Sequence, residues 1–192
     1  MIAIIQHNAG NIRSVINALG RLGAEYVLTD EPEKIRKADK VIFPGVGEAS
    51  SAMSYLRERK LDELIPLLKQ PFLGICLGLQ LMCSHSEEGD TKGLGIFSEK
   101  VKRFPPDDKV PHMGWNNFTA IKGDLLNGLS SDDDVYFVHS YYAECGNDTV
   151  GTTQYIVPFS SALHKDNFHA VQFHPEKSAG AGEQILKNFL SL

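Results

Sequence analysis

The chain has 192 residues, 42% of them hydrophobic and 22% charged, with a formal net charge of −5. That is enough for one domain with its own core, and the balance is ordinary for a soluble globular fold. The charge gives no electrostatic footprint for nucleic acid, no apolar stretch reaches membrane-spanning length, and MIAIIQHNAGN lacks the basic start and apolar run of a signal peptide.

The elements follow in chain order. IAII (2–5) reads as a short buried strand. Apolar residues then recur at Ile12, Val15, Ile16, Leu19 and Leu22, the period of an amphipathic helix, with Asn11 as its N-cap and Gly23 as its stop. YVL (26–28) and KVIF (40–43) are the second and third strands, the latter closed by PGVG. Helical spacing follows through Ala49, Ala52, Met53 and Leu56, and again from Leu61 to Leu68. FLGI (72–75) is a fourth strand, and Leu77 to about Ser84 reads as a helix. Strands alternating with helices imply an α/β fold, a mostly parallel sheet with helices on both faces.

The second half changes character. GIFSEKVKRF, VPHMGWNNF, DVYFVHSYYAE and TVGTTQYIV are strand-like runs separated by turn residues. SSALHKDNFHAVQF reads as a hairpin turning at Lys165-Asp166-Asn167, and a final helix runs through Ile185, Leu186, Phe189 and Leu190. No linker, repeat or low-complexity segment interrupts the chain, so residues 1–192 read as one domain.

Three cysteines, Cys76, Cys83 and Cys145, are an odd number without metal-type spacing, which points to the reducing cytoplasm and to no metal or other cofactor. Cys76 sits in PFLGICLGLQLM with Gly74 and Gly78 at equal distance on either side. A strand that turns sharply into a helix presents its turn residue at the carboxyl edge of the sheet, and small residues two before and two after give the bend room. Backbone amides and the helix dipole at such a bend favour a thiolate. The same string also suits a buried structural thiol beside a glycine turn.

A nucleophilic thiol needs a base, and the base needs an orienting group. In QFHPEKS (172–178), Pro175 pushes His174 towards extended backbone. Residues i and i+2 of an extended segment face the same side, so Glu176 points with His174. Taken singly, His-Pro-Glu could equally be a surface turn with a solvated ion pair. Backbone donors for an oxyanion could come from Leu77, after the cysteine, and from PGVG (44–47), where two glycines allow close approach to a ligand. A plain Pro-Gly turn is the competing reading of that segment.

The three pieces, in this order, resemble the class I glutamine amidotransferases, and the likeness covers essentially the whole chain. GNIRSV (10–15), FPGVG (43–47), GICLGLQLM (74–82), PHMGWN (111–116), YFVHSYY (136–142) and QFHPEKS are similar to one subfamily, the glutaminase subunits of imidazole glycerol phosphate synthase in histidine biosynthesis. The resemblance implies hydrolysis of L-glutamine to glutamate and ammonia by a Cys76, His174, Glu176 triad through a thioester. It implies an oxyanion held by the amides of Leu77 and of Val46 or Gly47. Substrate would be held by Gln80, Glu88, His139, Ser140 and Tyr141. Ammonia would pass to a separate cyclase subunit, with Asn11, Met113, Trp115, Tyr136 and Lys177 at the interface. Trp115 could instead be filling the core. Two segments depart from the family pattern: QHNAGN (6–11) stands where an Asp-Tyr-Gly-type turn is usual, and PGVGEAS lacks an Ala-Phe pair after its second glycine.

Two other function classes compete. An α/β-hydrolase with a cysteine nucleophile would share the bend, but it orders its triad nucleophile, acid, histidine; here the acid follows the histidine. A non-catalytic partner-binding module would have no need of an intact Cys, His and Glu.

Overall fold

A computed structural model describes residues 1–7 and 12–192. The expected helix cap and interface residue Asn11 lies outside the described residues. The first half alternates β1 (Ile2–Ile5), α1 (Ile12–Arg21), β2 (Tyr26–Thr29), α2 (Pro32–Lys37), β3 (Lys40–Gly45), α3 (Ala49–Glu58), α4 (Leu61–Leu64), β4 (Phe72–Cys76) and α5 (Leu77–Met82). The second half holds two short strands, β5 (His85–Ser86) and β6 (Thr91–Lys92), then β7 (Lys100–Arg103), β8 (His112–Asn116) and β9 (Ala120–Ile121). It continues with β10 (Val135–His139), β11 (Tyr141–Ala143), β12 (Thr149–Gln154), β13 (Pro158–Lys165), β14 (Phe168–Val171) and α6 (Ala179–Ser191).

Among the described residues the main sheet runs β2-β1-β3-β4-β14-β13-β11-β7-β5-β6, with β12 and β9 branching from β13. Strands β2, β1, β3, β4 and β14 are mutually parallel. The rest of the sheet is antiparallel apart from β5 beside β7. One apolar layer packs Ile35, Met53, Leu56, Leu64 and Leu79 against Phe43 and Phe72, which places α2 to α5 on one face. The other packs Val15, Leu19, Ile185, Leu186 and Phe189 against Ile4, Ile42 and Phe173, which places α1 and α6 opposite. Helices on both faces of the parallel half are what strand–helix alternation requires.

The differences from the sequence reading have local causes. β3 continues past Phe43 through Pro44 and Gly45, a position where proline should stop a central strand. Its pairing with β1 ends at Ile42, while pairing with β4 continues to Gly45, so one flank is already open where Pro44 sits. The helix expected from Leu61 to Leu68 is α-helical only to Leu64 and then tightens into a 3-10 turn over Ile65–Leu67. Pro66 has no N–H for the α ladder. Helix α5 stops at Met82, two residues short of Ser84. The short α2 carries a single buried residue, Ile35, too little for a readable stripe.

DVYFVHSYYAE is not one strand. It breaks at Ser140, with β10 pairing β8 in a separate two-stranded ribbon and β11 joining β7 and β13 in the main sheet. The hairpin at Asp166-Asn167 is as expected, with Lys165 opposite Phe168 and Asp166 at φ 53°.

Candidate active site

Strand β4 delivers Cys76 to the carboxyl edge of the sheet, and α5 begins at the next residue. Cys76 adopts φ 54° and ψ −106°, a conformation a non-glycine residue holds only when its surroundings impose it. The flanking glycines supply that constraint by allowing close approach. A Cβ on Gly78 would stand 2.0 Å from the Phe43 carbonyl oxygen, and one on Gly74 would stand 2.5 Å from Met82 Sδ. The first turns of α5 are therefore pressed against β4 and β3 around the bend, and Cys76 lines a cavity of about 280 Å³.

Val46, Gly47, Leu77, Gln80, Glu88, His139, Ser140 and Tyr141 all line this cavity with Cys76. Every expected oxyanion and substrate residue thus meets at one place, although they come from four separate stretches of chain. Gly47 has φ 127°, accessible to glycine and costly for any side chain. The end of β3 just before it is braced by His7, whose Nε2 donates to the Pro44 carbonyl at 2.6 Å. His7 occupies one of the positions where the sequence departs from the family pattern.

His174 Nδ1 and Glu176 Oε1 are 2.8 Å apart, with side chains only 2% and 3% exposed. A carboxylate can only accept, so Nδ1 carries a proton and donates it to Glu176, which leaves Nε2 for a further partner. Nε2 is buried without a hydrogen-bond partner among the described residues. Burial opposes a charge on His174, but the neighbouring Cys76 and Glu176 outweigh it and raise the imidazole's pKa well above its ordinary value. The turn is held by Ser178, whose hydroxyl donates to the His174 carbonyl at 2.6 Å and accepts from Tyr136 N–H at 2.9 Å.

The cradle opposite is pinned by hydrogen bonds with a fixed direction. The Tyr141 carbonyl accepts from His139 Nδ1 at 2.8 Å and from Gln80 Nε2 at 2.9 Å. His139 Nε2 must then accept, so His112 Nδ1 donates to it at 3.0 Å and His112 Nε2 accepts from Asn116 Nδ2 at 3.3 Å. The arrangement needs two neutral imidazoles. Burial provides them, lowering the pKa of His112 to about 4 and of His139 to about 3. Glu88 is half-buried, accepts from Ala49 N–H at 2.8 Å, and has its carboxyl pKa raised by burial.

The ribbon of β8 and β10 forms one wall. Its outward residues include Met113 and Trp115, 59% and 54% exposed, so Trp115 does not fill the core. Trp115 pairs across the ribbon with Tyr136, their rings 5.8 Å apart edge to face, and Lys177 Nζ lies 5.8 Å from the Tyr136 ring centre. Four of the five expected interface residues thus share one face, which meets the Cys76 cavity at Val138. No group of three or more His, Cys, Asp or Glu side chains among the described residues is arranged to hold a metal, and no described helix is long and apolar enough to cross a membrane.

The sequence profile of the family "Glutamine amidotransferase class-I" matches residues 3–192. The chain belongs to this family. Among similar glutamine amidotransferases is "Imidazole glycerol phosphate synthase subunit HisH" of Bacteroides fragilis, 59% identical over 100% of this chain and 99% of the relative. The protein of the same name from Methanothermobacter thermautotrophicus is 45% identical over 100% of this chain and 98% of its own length. Solved structures share the fold at much lower identity. One described as a glutamine amidotransferase superposes with a TM-score of 0.76 at 18% identity, covering 100% of this chain and 98% of its own. Another, a glutamine amidotransferase from Thermotoga maritima, has a TM-score of 0.66 at 16% identity, covering 99% and 82%.

The sequence reading assigned no role to Ser178, His112 or Gln172, each buried and hydrogen-bonded around the site. Ser178 and Gln172 lie inside the quoted QFHPEKS, and His112 inside PHMGWN, but their partners are far away in sequence.

Proposed function

We propose that this chain is a single-domain glutaminase, residues 1–192, acting in the cytoplasm as the glutamine-hydrolysing subunit of imidazole glycerol phosphate synthase in histidine biosynthesis. The observation that carries the chemistry is the buried His174–Glu176 pair beside a strained Cys76 in the lining of a substrate-sized cavity. The near-full-length identity to proteins named as subunits of that synthase supports the pathway and the partner.

In this reading Cys76 passes its thiol proton to His174 Nε2, and the resulting thiolate attacks the side-chain amide carbon of L-glutamine. The backbone N–H groups of Leu77 and of Val46 or Gly47 hold the resulting oxyanion. His174 Nε2 gives its proton to the departing ammonia, leaving a thioester. Water, losing a proton to the same nitrogen, opens the thioester, and glutamate leaves with Cys76 regenerated. Glu176 fixes the imidazole's tautomer and steadies its charge. Gln80 and the His139-Ser140-Tyr141 segment hold the substrate, and the Glu88 carboxylate faces its α-ammonium group. Ammonia is delivered to the cyclase subunit through the face bearing Met113, Trp115, Tyr136 and Lys177. The test is co-purification with a cyclase subunit and measurement of glutamate release from glutamine. Release by the complex supports the reading; a stable complex that releases none favours the non-catalytic module.

A further inference from the structure

Gln172 is fully buried and has no part in the triad. It follows the last residue of β14, whose Val171 lies opposite Ile75, so Gln172 is level with Cys76 on the neighbouring strand. Its backbone N–H donates to the Ser161 carbonyl at 2.9 Å, which fixes where the side chain starts. Its carboxamide nitrogen lies 3.6 Å from Cys76 Sγ, within reach of an N–H···S bond, and its oxygen lies 3.1 Å from Gln80 Nε2.

The direction of these bonds follows from one backbone group. The two ends of a carboxamide look alike in shape, so its orientation must come from its partners. The Tyr141 carbonyl can only accept; the end of Gln80 facing it, at 2.9 Å, is therefore NH₂. The same NH₂ faces Gln172, so that end of Gln172 is the carbonyl oxygen. The end of Gln172 facing the sulfur is then necessarily NH₂. The reverse arrangement would set two NH₂ groups against each other in a buried space.

We propose that Gln172 is the hydrogen-bond donor to the Cys76 thiolate, its carboxamide turned that way round by Gln80, whose NH₂ donates both to it and to the Tyr141 carbonyl. This rests on the reading of Cys76 as the nucleophile. A thiolate accepts more strongly than a neutral thiol or a thioester sulfur. The donor therefore favours the attacking form before reaction and the departing sulfur when the thioester opens.

The experiment compares the unaltered chain with Gln172→Met and Gln172→Glu, all carrying Cys145→Ser because Cys145 is exposed. Iodoacetamide alkylation of Cys76 at neutral pH is read by mass spectrometry, with folding checked by thermal unfolding. Gln172→Met keeps the bulk and loses the donor. Gln172→Glu keeps the shape and the acceptor for Gln80 but turns a like charge towards the sulfur. A hydrogen bond to a charged group, offset by the falling nucleophilicity of a better-stabilised thiolate, gives alkylation about 3- to 10-fold slower in Gln172→Met. Gln172→Glu is slower still, and kcat with the cyclase falls at least as far while KM changes little. Packing alone would rank the isosteric Glu variant as the milder. Alkylation of either folded variant at the unaltered rate overturns the inference. Should neither fold, Gln80→Met frees Gln172 to rotate, and slowed alkylation is required of it too. A Cys76→Ala chain that still released glutamate would instead sink the nucleophile reading itself.

Discussion

Gly182 sits in α6, one turn in from its start, where a Cβ would lie 1.9 Å from the Pro175 carbonyl oxygen and 2.9 Å from Ser178 Cβ. Ordinary carbon–oxygen contact is about 3.3 Å, so Gly182→Ala must part α6 from the Pro175–Lys177 turn by roughly 1.4 Å. The turn carries Glu176 and follows His174, and Ser178 ties it to Tyr136. Overpacking of this kind costs about 1–3 kcal/mol, and in a chain of this size each kcal/mol lowers Tm by roughly 2–4 °C. The catalytic effect should exceed the stability effect, because a displacement of about 1 Å at a reacting group can cost on the order of 100-fold in rate. The assay is steady-state glutaminase activity of the complex alongside synthesis from added ammonium. We expect kcat for glutamine to fall about 100-fold, with the ammonium-dependent rate and the complex intact. A folded Gly182→Ala variant with unaltered kcat would refute the claim that α6 sets the position of the triad's base.

Two further predictions concern pH and the partner face. Burial depresses the pKa values of His112 and His169 to about 4 and of His139 to about 3, so these groups hold fewer protons folded than unfolded as pH falls below about 6.5. Each contributes stability that is present above pH ~6.5 and lost on acidification, with an upper limit of about 2 kcal/mol by pH ~5. His174, with its raised pKa, contributes in the opposite sense and loses its share as pH climbs above its ordinary value. Urea unfolding at a series of pH values should therefore show stability falling on the acid side of pH ~6.5; a flat profile there would mean the buried imidazoles are not neutral. Trp115→Ala should weaken the complex about 10- to 100-fold by calorimetric titration while leaving Tm of the free chain nearly unchanged, since this residue is more than half exposed and its ring meets Tyr136 edge to face on the outer side of the ribbon.

What could be read from the sequence was local. The period of α1 and of α3, the bend at Cys76 and the His174–Glu176 spacing depend on residues a few positions apart, and the structure has them where expected. Contacts that depend on distant pieces of chain were not legible. Gln172 meets Cys76 across 96 positions and His112 meets His139 across 27, and no periodicity announces either pair. Gly74 and Gly78 give the bend the room expected of them, Gly74 by letting α5 lie close on β4 and Gly78 by letting α5 lie close on β3, though which neighbours they admit was not legible. The break at Ser140 was hidden because β10 and β11 have the same strand-like composition and differ only in which sheet receives them.

The most direct test of the account is Cys76→Ala in the complex, with synthesis measured once from glutamine and once from added ammonium. The account predicts that the glutamine-dependent rate vanishes and the ammonium-dependent rate is retained. Persistence of glutamine-dependent synthesis, or loss of both rates together, would contradict it.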